Sequence, residues 1–181
     1  LIKRLIALAL AGALGPSAGQ AFAPRESAIA TVRGTQCRAG ETVLYSCRFG
    51  RAVGSACLGA PGIHYRFGPP GRPAIDIAND AEWSNVHIGF VIGGGGGHQT
   101  HIRFTAGRHH YIVFEGQAGQ LTDIPGRRWS GIAVLAGDDG RNIVATHECR
   151  SRPILAADWH SAPRGSGARD EVAGGPFDAW Y

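Results

Sequence analysis

The chain predicts an all-β fold: a single antiparallel sandwich or small barrel of about eight strands, stapled by disulfides. Three observations carry that expectation. Short segments alternate apolar and polar residues with the period of two that a half-buried strand requires. Glycine- and proline-rich breakers divide those segments at short intervals. Past the leader, no stretch keeps a 3.6-residue apolar period for three turns. The strands fall within about 115 residues, enough for one core.

The stretch 42–68 organises the rest, with Cys47 and Cys57 inside it and Cys37 just before. Val43, Tyr45 and Cys47 share one side of the first strand, and Leu44, Ser46 and Arg48 the other. Gly50-Arg51 turns the chain, and 52–58 returns as a strand of small residues. After the Ala60-Pro61-Gly62 turn, Ile63, Tyr65 and Phe67 face one way, with His64 and Arg66 facing the other. Residues 68–73, Gly-Pro-Pro-Gly-Arg-Pro, must leave the sheet because proline donates nothing to a ladder. A short strand follows at 74–78, centred on Asp76, and a longer one at 83–92. Five glycines, Gly93 to Gly97, read as a flexible connection. A phosphate-binding loop would need a helix behind them and a closing Gly-Lys-Ser/Thr, and neither is there.

Segments 100–104 and 109–114 flank Ala106-Gly107 as a hairpin; a two-residue turn there pairs Arg103 with His110 and His101 with Ile112. Residues 117–128 form a polar connection. A second hairpin joins 129–135 to 142–149 through Gly137-Asp138-Asp139-Gly140. From Pro153 to Tyr181 the composition turns to Gly, Ala, Ser, Pro and Arg, which predicts a poorly ordered tail with Trp159 as the residue able to dock back.

At the other end, Lys3 and Arg4 precede a ten-residue apolar run at 5–14, with small-residue sites near 19–23. This is the layout of an export signal. Cleavage after Ala21 is preferred because cutting after Ala23 would place Pro24 behind the scissile bond. The run covers only about 15 Å as a helix, too short for a membrane span. The expected organisation is therefore a signal peptide at 1–21, a loosely held lead-in at 22–36, a β domain at 37–152 and a tail at 153–181. The expected location is periplasmic or secreted, with no membrane span after leader removal.

Four cysteines in an exported chain make two disulfides, with three pairings possible. Cys47–Cys149 with Cys37–Cys57 is the preferred pairing. It ties an early strand to the last one across a loop of about a hundred residues, worth roughly 4–5 kcal/mol in the chain-entropy model. Successive gaps of ten residues between Cys37, Cys47 and Cys57 are unlike the C-x-x-C of zinc knuckles.

Loss of Lys3 and Arg4 leaves 16 basic residues against 14 acidic, a net charge of +2 rather than +4. The remaining arginines are scattered, which excludes the basic stripe that nucleic-acid binding uses. His98, His101, His109 and His110 are the candidate metal ligands of a periplasmic metal-binding protein. Alternation on strands sets them on opposite faces, so exposed histidines are the favoured reading. No G-x-S-x-G elbow is present, and each cysteine is better placed in a bridge. Ser130 lies in a strand-like segment, and Asp138-Asp139 is explained by turn chemistry. A hydrolase is the weakest of the three readings, and no cofactor is expected.

The order LYSC, HYRFGPPG, IRFTAGRHHYIVFEG, GIAVLAGDDGRNIVATHEC resembles a group of small exported β proteins of Gram-negative bacteria. More distantly it is similar to the periplasmic and membrane-bound lysozyme inhibitors. The resemblance spans 37–149 and implies a compact antiparallel β fold with an early-strand cysteine tied to one near the last strand's end. It also implies occlusion of a muramidase cleft by a loop carrying Ser-Gly-x-Tyr or Ser-Gly-x-x-Tyr. The matching Ser-Gly here is Ser130-Gly131, followed by Ile132-Ala133-Val134 in place of tyrosine. The expected function is a non-catalytic exported binding module for a protein or a cell-envelope glycan. Tyr65, Arg66 and Tyr111 join Ser130 and Gly131 as its expected contact residues, since aromatics and arginine are the usual anchors. Core packing is the competing role for Tyr65 and Tyr111.

Overall fold

Two Gly-Arg turns set the two tightest hairpins. In the computed structural model, Gly50 (φ +62°) and Gly107 (φ +58°) each take the first central position of a two-residue turn. That is the place where a primed turn needs a positive φ and where glycine carries no steric penalty. The structure describes residues 32–60, 62–138, 140, 142–157, 159 and 169–171, the last three by their backbone.

The first sheet runs β10-β1-β2-β3-β4, formed by Ile154–Leu155, Thr42–Phe49, Ala52–Leu58, Ile63–Gly68 and Ile75–Ala78. The second runs β11-β5-β6-β7-β8-β9, formed by Arg169–Glu171, Val86–Ile92, His98–Ala106, His109–Gln117, Arg128–Ala136 and Asn142–Glu148. Every pairing is antiparallel except β11 on β5, which is parallel. The all-β class holds, and the architecture is sandwich-like rather than a closed barrel. Nine of the eleven strands described match the segments read from the sequence; β10 and β11, too short to carry a period, lie in the segment read as tail.

Alternation places the core between the sheets. Tyr45, Cys47, Ala56, Ile63 and Tyr65 from the first sheet meet Val86, Ile88, Ile102, Phe104, Val113 and Ile132 from the second. Trp159 is 3 % exposed, with its ring 5.8 Å from that of Tyr45, so the docking residue of the tail does dock. Cys37 pairs with Cys57 and Cys47 with Cys149, the preferred pairing, leaving no free cysteine. Disulfides of this kind persist in oxidising compartments and fit a non-cytoplasmic protein. Among the described residues no helix is long and apolar enough to cross a membrane.

Three local expectations change. The β6–β7 turn is Gly107-Arg108 rather than Ala106-Gly107, so Arg103 pairs with Ile112 and His101 with Phe114. The faces are unchanged because the register moves by two residues. Gly93 to Gly97 is a packed turn and not a loose linker: Gly94–Gly96 make one turn of 3-10 helix. A Cβ on Gly97 would lie 2.6 Å from Gly119 N, so the glycines there admit a second backbone. The described part of the lead-in is held tightly. Gln36 Nε2 donates to the Gly68 and Pro69 carbonyls, and its backbone N–H donates to Ser55 Oγ.

Candidate functional site

Two clusters of polar side chains form in this fold, one on each sheet. The first lies on the outer face of the smaller sheet. Alternation turns Ser46, Ser55, Arg66 and Asp76 away from the core, side by side across four strands. The lead-in then crosses this face, anchored by Cys37–Cys57. Arg66 ends 0 % exposed and is fully engaged: Nη1 and Nη2 donate to the two Glu41 oxygens at 2.6 and 2.9 Å, and Nε donates to Asp76 at 3.0 Å. Arg38 Nη2 reaches the same Asp76 at 3.0 Å, and His64 Nδ1 meets its other oxygen at 2.9 Å. Burial alone would raise the carboxyl pKa values of Glu41 and Asp76. The hydrogen bonds and charges of their basic partners outweigh that and hold both low.

The second cluster lies on the inner face of the larger sheet, beyond the edge of the core. Thr100, Glu115 and Ser130 sit side by side on β6, β7 and β8, two residues along from Ile102, Val113 and Ile132. Tyr45 crosses from the other sheet to close the inner end. Its hydroxyl lies 3.1 Å from Ser130 Oγ and 3.1 Å from the Gly131 carbonyl, and burial pushes its phenol pKa up. His98 Nε2 is 3.7 Å from Glu115 Oε1.

A half-open groove of about 700 Å³ stands over it, lined by Glu115 and Ser130, by Arg128 and Trp129, and by the turn and strand that follow Cys149 (Ser151 to Leu155). Its size falls in the range of small-ligand sites. Arg128 and Arg152, both exposed, make no ion pair among the described residues. Cys149 also lines a second groove of about 650 Å³ with Phe49, Phe67 and His147. The Cys47–Cys149 bridge therefore stands between two openings along one edge of the sandwich.

The expected contact residues separate sharply. Tyr65 is 1 % exposed, its ring 5.5 Å from that of Tyr111 and 5.6 Å from that of Phe104. It is a core residue. Arg66 is sealed as described, so neither side chain offers a surface to a partner. Tyr111 is half-buried against Tyr65. Ser130 and Gly131 lie inside β8, not in a loop, with Ser130 7 % exposed at the groove floor. A strand interior cannot protrude into another protein's cleft. Sequence reasoning misses the groove's Arg128 and Arg152, and holds Glu115 only as an unsupported candidate acid, because the segments that form the groove are far apart in sequence.

The four histidines do not converge. His98 and His109 share the inner face but pair eight residues apart along β6, about 27 Å. His101 and His110 share the outer face, four residues apart by register, about 13 Å. His110 is engaged by Thr105 Oγ1 and the Gly137 carbonyl. Burial lowers the His101 pKa to about 4. Among the described residues the one set of three close potential ligands is Cys37, Glu41 and Cys57, and its sulfurs are spent in a disulfide.

No protein-family model, curated protein or solved structure matches the chain.

Proposed function

We propose that the protein is an exported, non-catalytic binding module that engages a cell-envelope glycan through the groove over Glu115 and Ser130. The observation that carries this reading is the groove itself: a carboxylate, a serine and two arginines that make no ion pair among the described residues line one ligand-sized opening. Sugars need that mixture, since carboxylates and guanidinium groups bond their hydroxyls in fixed directions. The bridged cysteines support a passive role, because they leave no thiolate nucleophile among them. Ser130 Oγ meets the Tyr45 phenol rather than an imidazole, so it lacks the Ser–His pairing of an activated serine. The leader-like residues 1–21 and the two disulfides support a periplasmic or secreted location.

Co-sedimentation with insoluble peptidoglycan sacculi tests the reading. Retention in the pellet, reduced by Glu115→Ala, is expected; a protein that stays in the supernatant overturns it. The inhibitor version of a binding module makes a separate prediction, loss of c-type, i-type or g-type lysozyme activity in excess protein. The position of Ser130-Gly131 within β8 gives that version no loop to act with.

A further inference from the structure

We infer that the groove selects acidic saccharides, chains in which sugar rings carry carboxylates, over neutral ones. The inference rests on the glycan reading above and adds the charge class of the ligand. Among the described residues Glu115 is the one acid lining the groove, and it faces His98 Nε2 at 3.7 Å. Arg128 and Arg152 line the same groove and pair with no carboxylate among the described residues. The opening therefore carries an excess of guanidinium charge, and an arginine is built for bidentate pairing with a carboxylate. Elsewhere in the molecule the same residue type is neutralised where it meets ligand-like geometry, as Arg66 is by Glu41 and Asp76.

Glu115 decides between an acidic sugar chain and an acidic peptide. Its carboxylate can only accept hydrogen bonds, and it sits beside Ser130 on the adjacent strand. A uronic-acid-type ring offers hydroxyl donors to such an acceptor and presents its own carboxylate elsewhere. Aspartate and glutamate side chains of a peptide bring no hydroxyl donor, and a second carboxylate near Glu115 would be repelled.

The full chain, and its double variant Arg128→Gln with Arg152→Gln, are titrated calorimetrically with three probes of matched length: oligogalacturonate, neutral oligogalactan and poly-glutamate. The inference expects oligogalacturonate to bind at least ten-fold tighter than oligogalactan, with the double variant losing that preference. The preference should also weaken as salt rises. Equal binding of the neutral and acidic sugars overturns the inference and leaves the glycan reading standing. Poly-glutamate binding as tightly as oligogalacturonate overturns it in favour of an acidic peptide. No binding of either sugar, together with no retention on sacculi, removes the glycan reading as well.

Discussion

The cluster around Arg66, on the outer face of the smaller sheet, and the cluster around Glu115, on the inner face of the larger one beyond the core, use similar residue types, yet only one lines a groove. Around Arg66, two carboxylates between them meet all three guanidinium nitrogens, and the Gln36 carbonyl at the end of the lead-in accepts from Nη1 as well. Around Glu115, two exposed guanidinium groups flank a carboxylate and a serine. The lesson is that residue type does not mark a binding surface. What marks it is polar capacity left unspent where a ligand can reach it. A buried and satisfied arginine holds the fold; an exposed and unsatisfied one is available for recognition.

The largest effect should come from the disulfides, which adjoin the two clusters. Replacing Cys47 and Cys149 by alanine opens a loop of 102 residues, and replacing Cys37 and Cys57 opens one of 20. Chain entropy predicts losses of about 5 and about 3 kcal/mol, measured by urea unfolding. Glycan retention should fall only in the first pair, because Cys149 lines the groove. Next comes Glu41→Ala, which leaves the buried Arg66 with Asp76 alone. It should cost about 3 kcal/mol, and ligand affinity measured in the surviving folded fraction should stay unchanged.

Acid should attack the sealed groups first. The folded pKa of His101 lies near 4, below its ordinary 6.5, so the unfolded chain takes up its proton first as pH falls. Stability from this group is complete above pH 6.5 and is lost towards pH 4, by about 2 kcal/mol at pH 5. Glu41 and Asp76, also held low, add a further loss only below about pH 4.5, where unfolded carboxyls begin to protonate. Unfolding series at pH 7.5, 5 and 3.5 would separate the two windows; a flat profile between 7.5 and 5 would contradict the burial of His101. The smallest effect on stability belongs to the open cluster. Arg128→Gln with Arg152→Gln should change it by no more than about 0.5 kcal/mol, as exposed side chains do.

Much of this architecture was legible in the sequence, because local rules determine it. Alternation located the long strands, Gly50-Arg51 and the 106–109 region located the hairpins, and the cysteine spacing was compatible with the bridges formed. Arg66 shows where such rules stop. Period two correctly turned it away from Tyr65 and the core, and on a bare sheet that face meets water. Residues 36–41, 25 or more away in sequence, cover it instead. The groove was illegible for the same reason, since Glu115, Arg128 and Arg152 come from β7, β8 and the turn before β10. Two residues of β10 carry no detectable period, so nothing local announced the wall they build.

The distinction between a spent and an unspent cluster has one direct measurement: amide chemical shifts of the full chain titrated with solubilised peptidoglycan glycan strands. Shifts concentrated at Glu115, Ser130 and Ser151 to Leu155, with those of Arg38, Glu41, Arg66 and Asp76 unmoved, are the predicted result. Shifts centred on the Arg66 cluster, with the groove silent, would contradict the account.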